Sequence, residues 1–320
     1  MDRFVLSAAT WTVLSLSVTA CATQQTGVRP QGQPAGINAG PNDSLAQRRL
    51  RLGRFAEARA LFQRDLDVNG ASPYALTGLG DSYALAGDYP SARDAYQRLV
   101  QTGTSPQERV QGYLRVAESF AYARDYAGAE RALEPALAVA RSTANPALEW
   151  DVVARLNAIQ RFANQLDQAD QTAAEMSRIA SSTALPEATR RTYALEALQV
   201  TPMIMAKRGN EPMAMRRVDA YFRACEAAGL PPHRDMMLGL IAAYLGHYAE
   251  AAERLDRAPE RERNVYLYYW IGVAHESIGE SAQARAAYLR IADWRLTDSV
   301  SRTMLPLVRE PAGIQLRALR

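Results

Sequence analysis

Few side chains in this 320-residue chain are of a type and spacing that could do chemistry. The three histidines are His233, His247 and His275, and none has a partner at metal-ligand spacing. His275-Glu276 lacks the second histidine that a zinc-protease helix carries. The two cysteines, Cys21 and Cys225, form no Cys-x-x-Cys pair and are too few for a disulfide framework. Cys225 sits in the helical run Tyr221-Phe222-Arg223-Ala224-Cys225 with no histidine beside it, so it reads as a buried structural thiol. Asp65 and Asp67 fall at a helix end and read as solvated. Lys207 is the sole lysine, which excludes a phosphate-cradling Gly-x-x-x-x-Gly-Lys loop. There is no Gly-x-Ser-x-Gly elbow, no Ser-x-x-Lys and no Gly-x-Gly-x-x-Gly. Catalysis, a metal, a cofactor and a small-molecule substrate are therefore not expected.

Composition narrows the partners further. Net charge is +3, from 37 basic and 34 acidic residues. That balance lacks the basic excess of a nucleic-acid protein. Hydrophobic residues make up 48% and charged residues 22%, close to the globular average.

The first twenty residues read as an address. Arg3 and the amino terminus supply positive charge, and Phe4 to Val18 is apolar, small or hydroxylic with no charge. The stretch is shorter than the roughly 20 apolar residues that span a bilayer. It ends at Val18-Thr19-Ala20-Cys21, which resembles the lipobox of bacterial lipoproteins. The resemblance implies cleavage before Cys21 and acylation of its thiol. Ala22, rather than an aspartate, follows; in that family this implies the outer membrane, periplasmic face. Several acyl chains, at about 0.8 kcal/mol per buried CH₂, give stable anchoring. Residues 22–42 are rich in Gln, Gly, Pro and Thr without apolar periodicity, as a flexible tether would be. The expected organisation is signal peptide 1–20, tether 21–42, solenoid 43–296 and a C-terminal capping helix or tail 297–320.

From Asp43 the chain repeats itself. Gly53-Arg54-Phe55-Ala56-Glu57-Ala58 aligns with Gly87-Asp88-Tyr89-Pro90-Ser91-Ala92, and again with blocks at Arg124, Gly246 and Gly279. Weaker copies start at Asn164 and Gly209. The anchor alanines Ala58, Ala92, Ala129, Ala169, Ala214, Ala251 and Ala284 are spaced by 34, 37, 40, 45, 37 and 33 residues. Apolar spacings of three and four mark helices rather than strands. The pattern Leu76, Leu79, Gly80, Tyr83, then Gly87, Tyr89, Ala92 and Tyr96 resembles the tetratricopeptide repeat. The resemblance implies an all-α, right-handed superhelical solenoid of antiparallel helix hairpins with about seven repeats, two of them degenerate. Gly80, Gly239 and Gly272 are expected where two helices approach closely, and the turn glycines where the first helix of each hairpin ends. Pro202 replaces the small packing residue in the fifth copy, so a kink or break is expected there. Pro306 and Pro311 argue against a long C-terminal helix.

A solenoid binds through the face lined by the first helix of each hairpin. Helical register places Tyr74, Thr77 and Asp81, then Leu114, Glu118 and Tyr122, on that face. In the last two copies it places Met236, Leu240 and Tyr244, then Tyr266 and Tyr269. Carboxylate-clamp members of the family hold a peptide's terminal carboxylate with Lys, Arg and Asn; Thr77 and Asp81 stand in those places here. The aromatic and methionine-rich C-terminal half is the expected hot spot, with Tyr266 and Tyr269 either in the groove or in the core; the other alternative is that the C-terminal tail, Leu305 to Leu316, covers this face. The resemblance implies a lipid-anchored scaffold for a protein or peptide partner of envelope assembly, such as pilus or outer-membrane protein machinery; the alternative is a regulator of peptidoglycan enzymes.

Overall fold

The computed structural model describes residues 44–260, 263–292, 294 and 299–319. The signal-peptide, Cys21 and tether readings lie outside these residues. The described residues form fifteen helices and no strand. Seven hairpins follow one another. They are α1 (Leu45–Arg51) with α2 (Phe55–Asn69), α3 (Pro73–Leu85) with α4 (Tyr89–Thr102), and α5 (Pro106–Tyr122) with α6 (Tyr126–Ser142). Next come α7 (Pro146–Phe162) with α8 (Leu166–Ala180), and α9 (Glu187–Lys207) with α10 (Glu211–Ala227). Then come α11 (Arg234–Leu245) with α12 (Tyr248–Arg257), and α13 (Val265–Ser277) with α14 (Ser281–Ala292). A last helix, α15, spans Ser299–Ala318. Each helix packs on its chain neighbours, which makes a solenoid of helical hairpins.

The turns inside the hairpins share one device. Gly53, Gly87, Arg124, Asn164, Gly209, Gly246 and Gly279 all take positive φ, between 59° and 87°. A left-handed residue past the helix end lets the chain reverse, and glycine does so without a Cβ clash. Helix starts are set by side chains: Ser72, Asp88, Ser105, Asp125, Asn145, Asn210 and Asn264 each accept a backbone N–H of the first turn.

Close approach of the paired helices fixes the small residues. A Cβ on Gly80 would stand 2.2 Å from Tyr96 Cε1, and one on Gly272 would stand 2.4 Å from Tyr288 Cε1. Gly239 is closed in the same way by Leu255 at 2.7 Å. The anchor alanines Ala58, Ala92, Ala129, Ala169, Ala214, Ala251 and Ala284 are wholly buried.

The expected break at Pro202 and the expected short C-terminal helix are corrected. α9 runs through Pro202 for 21 residues without a break. The carbonyl of Leu198 loses the N–H that Pro202 lacks, but the Thr201 hydroxyl donates to it at 3.2 Å. α15 is a 20-residue helix that contains both Pro306 and Pro311. An interior proline costs about 3 kcal/mol of helix stability, so packing must supply what the backbone loses. Leu307, Val308 and Ala312 are buried against the solenoid and supply it.

α15 packs on α13 and α14 and also reaches α3 and α5. It therefore bridges the seventh hairpin to the second and third. At the junction of the fifth and sixth hairpins the stacking changes: of the preceding hairpin, α11 meets α9 more closely than α10.

A first-helix face closed by the C-terminal helix

The second and third hairpins contribute an ionic cluster. Tyr96 donates its hydroxyl to Asp81 Oδ1 at 2.8 Å. Arg115 approaches Asp81 Oδ1 at 3.8 Å and pairs with Glu118 Oε2 at 2.9 Å. Arg155, one hairpin on, holds Glu118 Oε1 at 2.9 Å. Burial pushes the Glu118 carboxyl up, but Arg155 and Arg115 outweigh it and hold the group below its usual range. Burial and the neighbouring Asp81 raise Tyr96 well above a free phenol, so it stays protonated as donor. Both carboxylates are buried, and their ion pairs and hydrogen bonds tie α3, α4, α5 and α7 together.

The middle of the solenoid carries a buried and a half-buried cation. Arg161 is fully buried, with Nε donating to Asn157 Oδ1 at 2.8 Å and Nη1 without a hydrogen-bond partner. Asn157 in turn donates to Ala169 O at 2.6 Å and Thr172 Oγ1 at 3.0 Å. Lys207 donates to the Arg161 carbonyl. Burial, with Arg161 adding to it, pushes the Lys207 ammonium down to about 7.

The sixth and seventh hairpins are aromatic. The hydroxyls of Tyr244 and Tyr266 meet at 2.6 Å. Tyr244, Tyr266 and Tyr269 all set their rings edge-on to Trp270, at 5.1, 6.3 and 5.8 Å between centroids. Tyr266 is 1% exposed, while Tyr244 and Tyr269 are half-buried.

The other residues of the expected face divide by exposure. Tyr74 is 40% exposed, sits edge-on to Phe62 and shares a hydrogen bond with Ser44. Thr77 is half-buried. Leu114, Tyr122, Met236 and Leu240 are buried. Arg115, Arg155, Tyr96 and Arg161 were not among the expected site residues. Only the Arg115–Glu118 pair, three residues apart on one helix, left a readable signal.

α15 closes the N-terminal part of this face. Pro306 lines one small cleft together with Asp81, Leu85, Tyr96, Arg115 and Tyr122. Arg309 Nη1 donates to the Leu85 carbonyl at 3.5 Å, at the C-terminal end of α3. A cation at a helix C-terminus satisfies free carbonyls and the helix dipole.

The chemistry-bearing residues are otherwise tied into packing. His275 meets Glu280 through Nδ1 at 2.7 Å and Asp256 through Nε2 at 3.0 Å. Cys225 is buried, and burial raises its thiol. Among the described residues no group of three or more His, Cys, Asp or Glu could hold a metal ion.

Residues 44–108 and 236–297 match the tetratricopeptide repeat family model. The match supports tetratricopeptide repeats at both ends of the solenoid. No curated protein matches the chain. Among solved structures, a Rap protein complexed with competence and sporulation factor is similar over 86% of this chain and 74% of that one. Its TM-score is 0.50 at 13% identity, a likeness of fold. A signal transduction ATPase with numerous domains, with a tetratricopeptide repeat sensor, from Pyrococcus horikoshii matches at TM-score 0.48 and 15% identity, over 85% of this chain and 43% of that one.

Proposed function

We propose that this protein is a lipid-anchored scaffold that binds a segment of a protein partner on its first-helix face and works in envelope assembly. The observation that carries the binding reading is α15 itself: the face already holds a helix against residues of α3 and α5. A surface with an ionic floor at one end and an aromatic wall at the other suits a peptide with both apolar and charged side chains. The membrane half of the reading rests on Val18-Thr19-Ala20-Cys21 and on the polar stretch after it. Ala22 favours the outer membrane, and pilus or outer-membrane protein machinery is the assembly we favour.

The test has two parts. Cells fed an alkyne-bearing palmitate should label the wild type and not Cys21→Ser, and only the wild type should fractionate with outer membrane. Cross-linked purification from the same cells should then recover one defined envelope complex. Equal lipid label on both chains would overturn the anchor, and recovery of peptidoglycan enzymes alone would move the function to cell-wall regulation.

A further inference from the structure

We infer that the place occupied by α15 is a docking site for an amphipathic helix of the partner, and that α15 is its resident, displaceable competitor. This rests on the reading of the first-helix face as the protein-binding surface.

The seat is specific in chemistry. α15 turns Leu307, Val308, Ala312 and Leu316 toward the solenoid, and Leu319 just past its end packs on the same core. Glu310, Ile314 and Arg317 face outward and are exposed. Beside the stripe, Arg309 reaches the end of α3. The fitting partner segment is therefore a helix with an aliphatic stripe, a small residue at its middle and an adjacent arginine.

The resident is an imperfect occupant. Pro306 and Pro311 each remove an N–H from the interior of α15. The bond from Arg309 to Leu85 is long, at 3.5 Å. A partner helix free of interior proline holds the same stripe at lower cost, which works against the effective-concentration advantage of the tethered resident.

The test uses the full chain and a synthetic, fluorescein-labelled peptide of residues 299–320. Val308→Glu places a charge on a fully buried α15 position and should undock the helix. The Val308→Glu chain should bind the peptide at least tenfold tighter than the wild type, by anisotropy. A peptide carrying the same substitution should bind neither chain. Equal binding, or none, by a folded Val308→Glu chain would overturn the proposal. Should that variant fail to fold, hydrogen exchange on the wild type decides. Amides of α15 exchanging about a hundredfold faster than those of α13 support an opening seat, and equal rates overturn it. Neither readout needs a partner. Peptide rebinding with no envelope complex recovered would sink the functional reading and leave the seat standing.

Discussion

Arg309 and Leu85 stand 224 residues apart in the chain, and the guanidinium of one meets the carbonyl of the other. The contact joins the end of the chain to the second hairpin. It covers the N-terminal part of the first-helix face, where Pro306 lines a small cleft with Asp81, Tyr96 and Arg115.

Gly80 and Gly87 separate two roles of glycine. Gly80→Ala drives a methyl into the Tyr96 ring, and about 1–3 kcal/mol of stability should be lost to overpacking. Gly87→Ala meets open space but must hold φ near 87°, at a cost of about 1 kcal/mol. Urea melts of the two variants check the order, and a larger loss at Gly87 would contradict the packing account.

The ionic cluster should behave as one unit. Glu118→Ala leaves Arg155 and Arg115 without their shared carboxylate, and a loss of about 3 kcal/mol is expected. Adding Arg155→Ala to it should recover part of that loss. Strict additivity of the two in a double-mutant cycle would show that the pair is not coupled.

Tyr266→Ala should cost about 3 kcal/mol, because the ring is buried against Trp270 and its hydroxyl meets Tyr244. Tyr266→Phe, which deletes the hydroxyl alone, should cost about 1 kcal/mol. A melting temperature unmoved by Tyr266→Ala would return this ring to the groove.

Lys207 makes stability depend on pH. Its folded pKa is lowered to about 7 from an ordinary 10.5. Between those values the unfolded chain holds a proton that the folded chain has released, so stability rises with pH across that window. Below about pH 7 both states are charged and this contribution is flat. Lys207→Met should remove the rise, as read by denaturant melts at pH 7 and pH 9.5. A wild-type melt that weakens over that range would contradict the burial of this amine.

The sequence carried the fold well because its rules are local. The seven turn positions found by alignment are the seven left-handed residues inside the hairpins, and Gly80, Gly239 and Gly272 stand where paired helices approach closely, as expected. Arg124 and Asn164 could be read as turn residues only through the repeat, since neither is glycine. The site was less legible. Asp81 and Glu118 lie on the expected helices, yet their arginine and tyrosine partners come partly from other helices, and no spacing along the chain reports those distances. The same holds for α15. Its prolines argued for a short helix, and the packing that overrides them involves residues over 200 positions away.

The most direct test of the central claim is photo-cross-linking in intact cells. A photoreactive amino acid would replace Thr77 and Tyr244 on the first-helix face, and Arg64 and Arg223 on the exposed second-helix side. The account predicts one discrete protein adduct from positions 77 and 244 and none from 64 and 223. Adducts confined to 64 and 223 would contradict it, because the partner would then be held on the opposite surface.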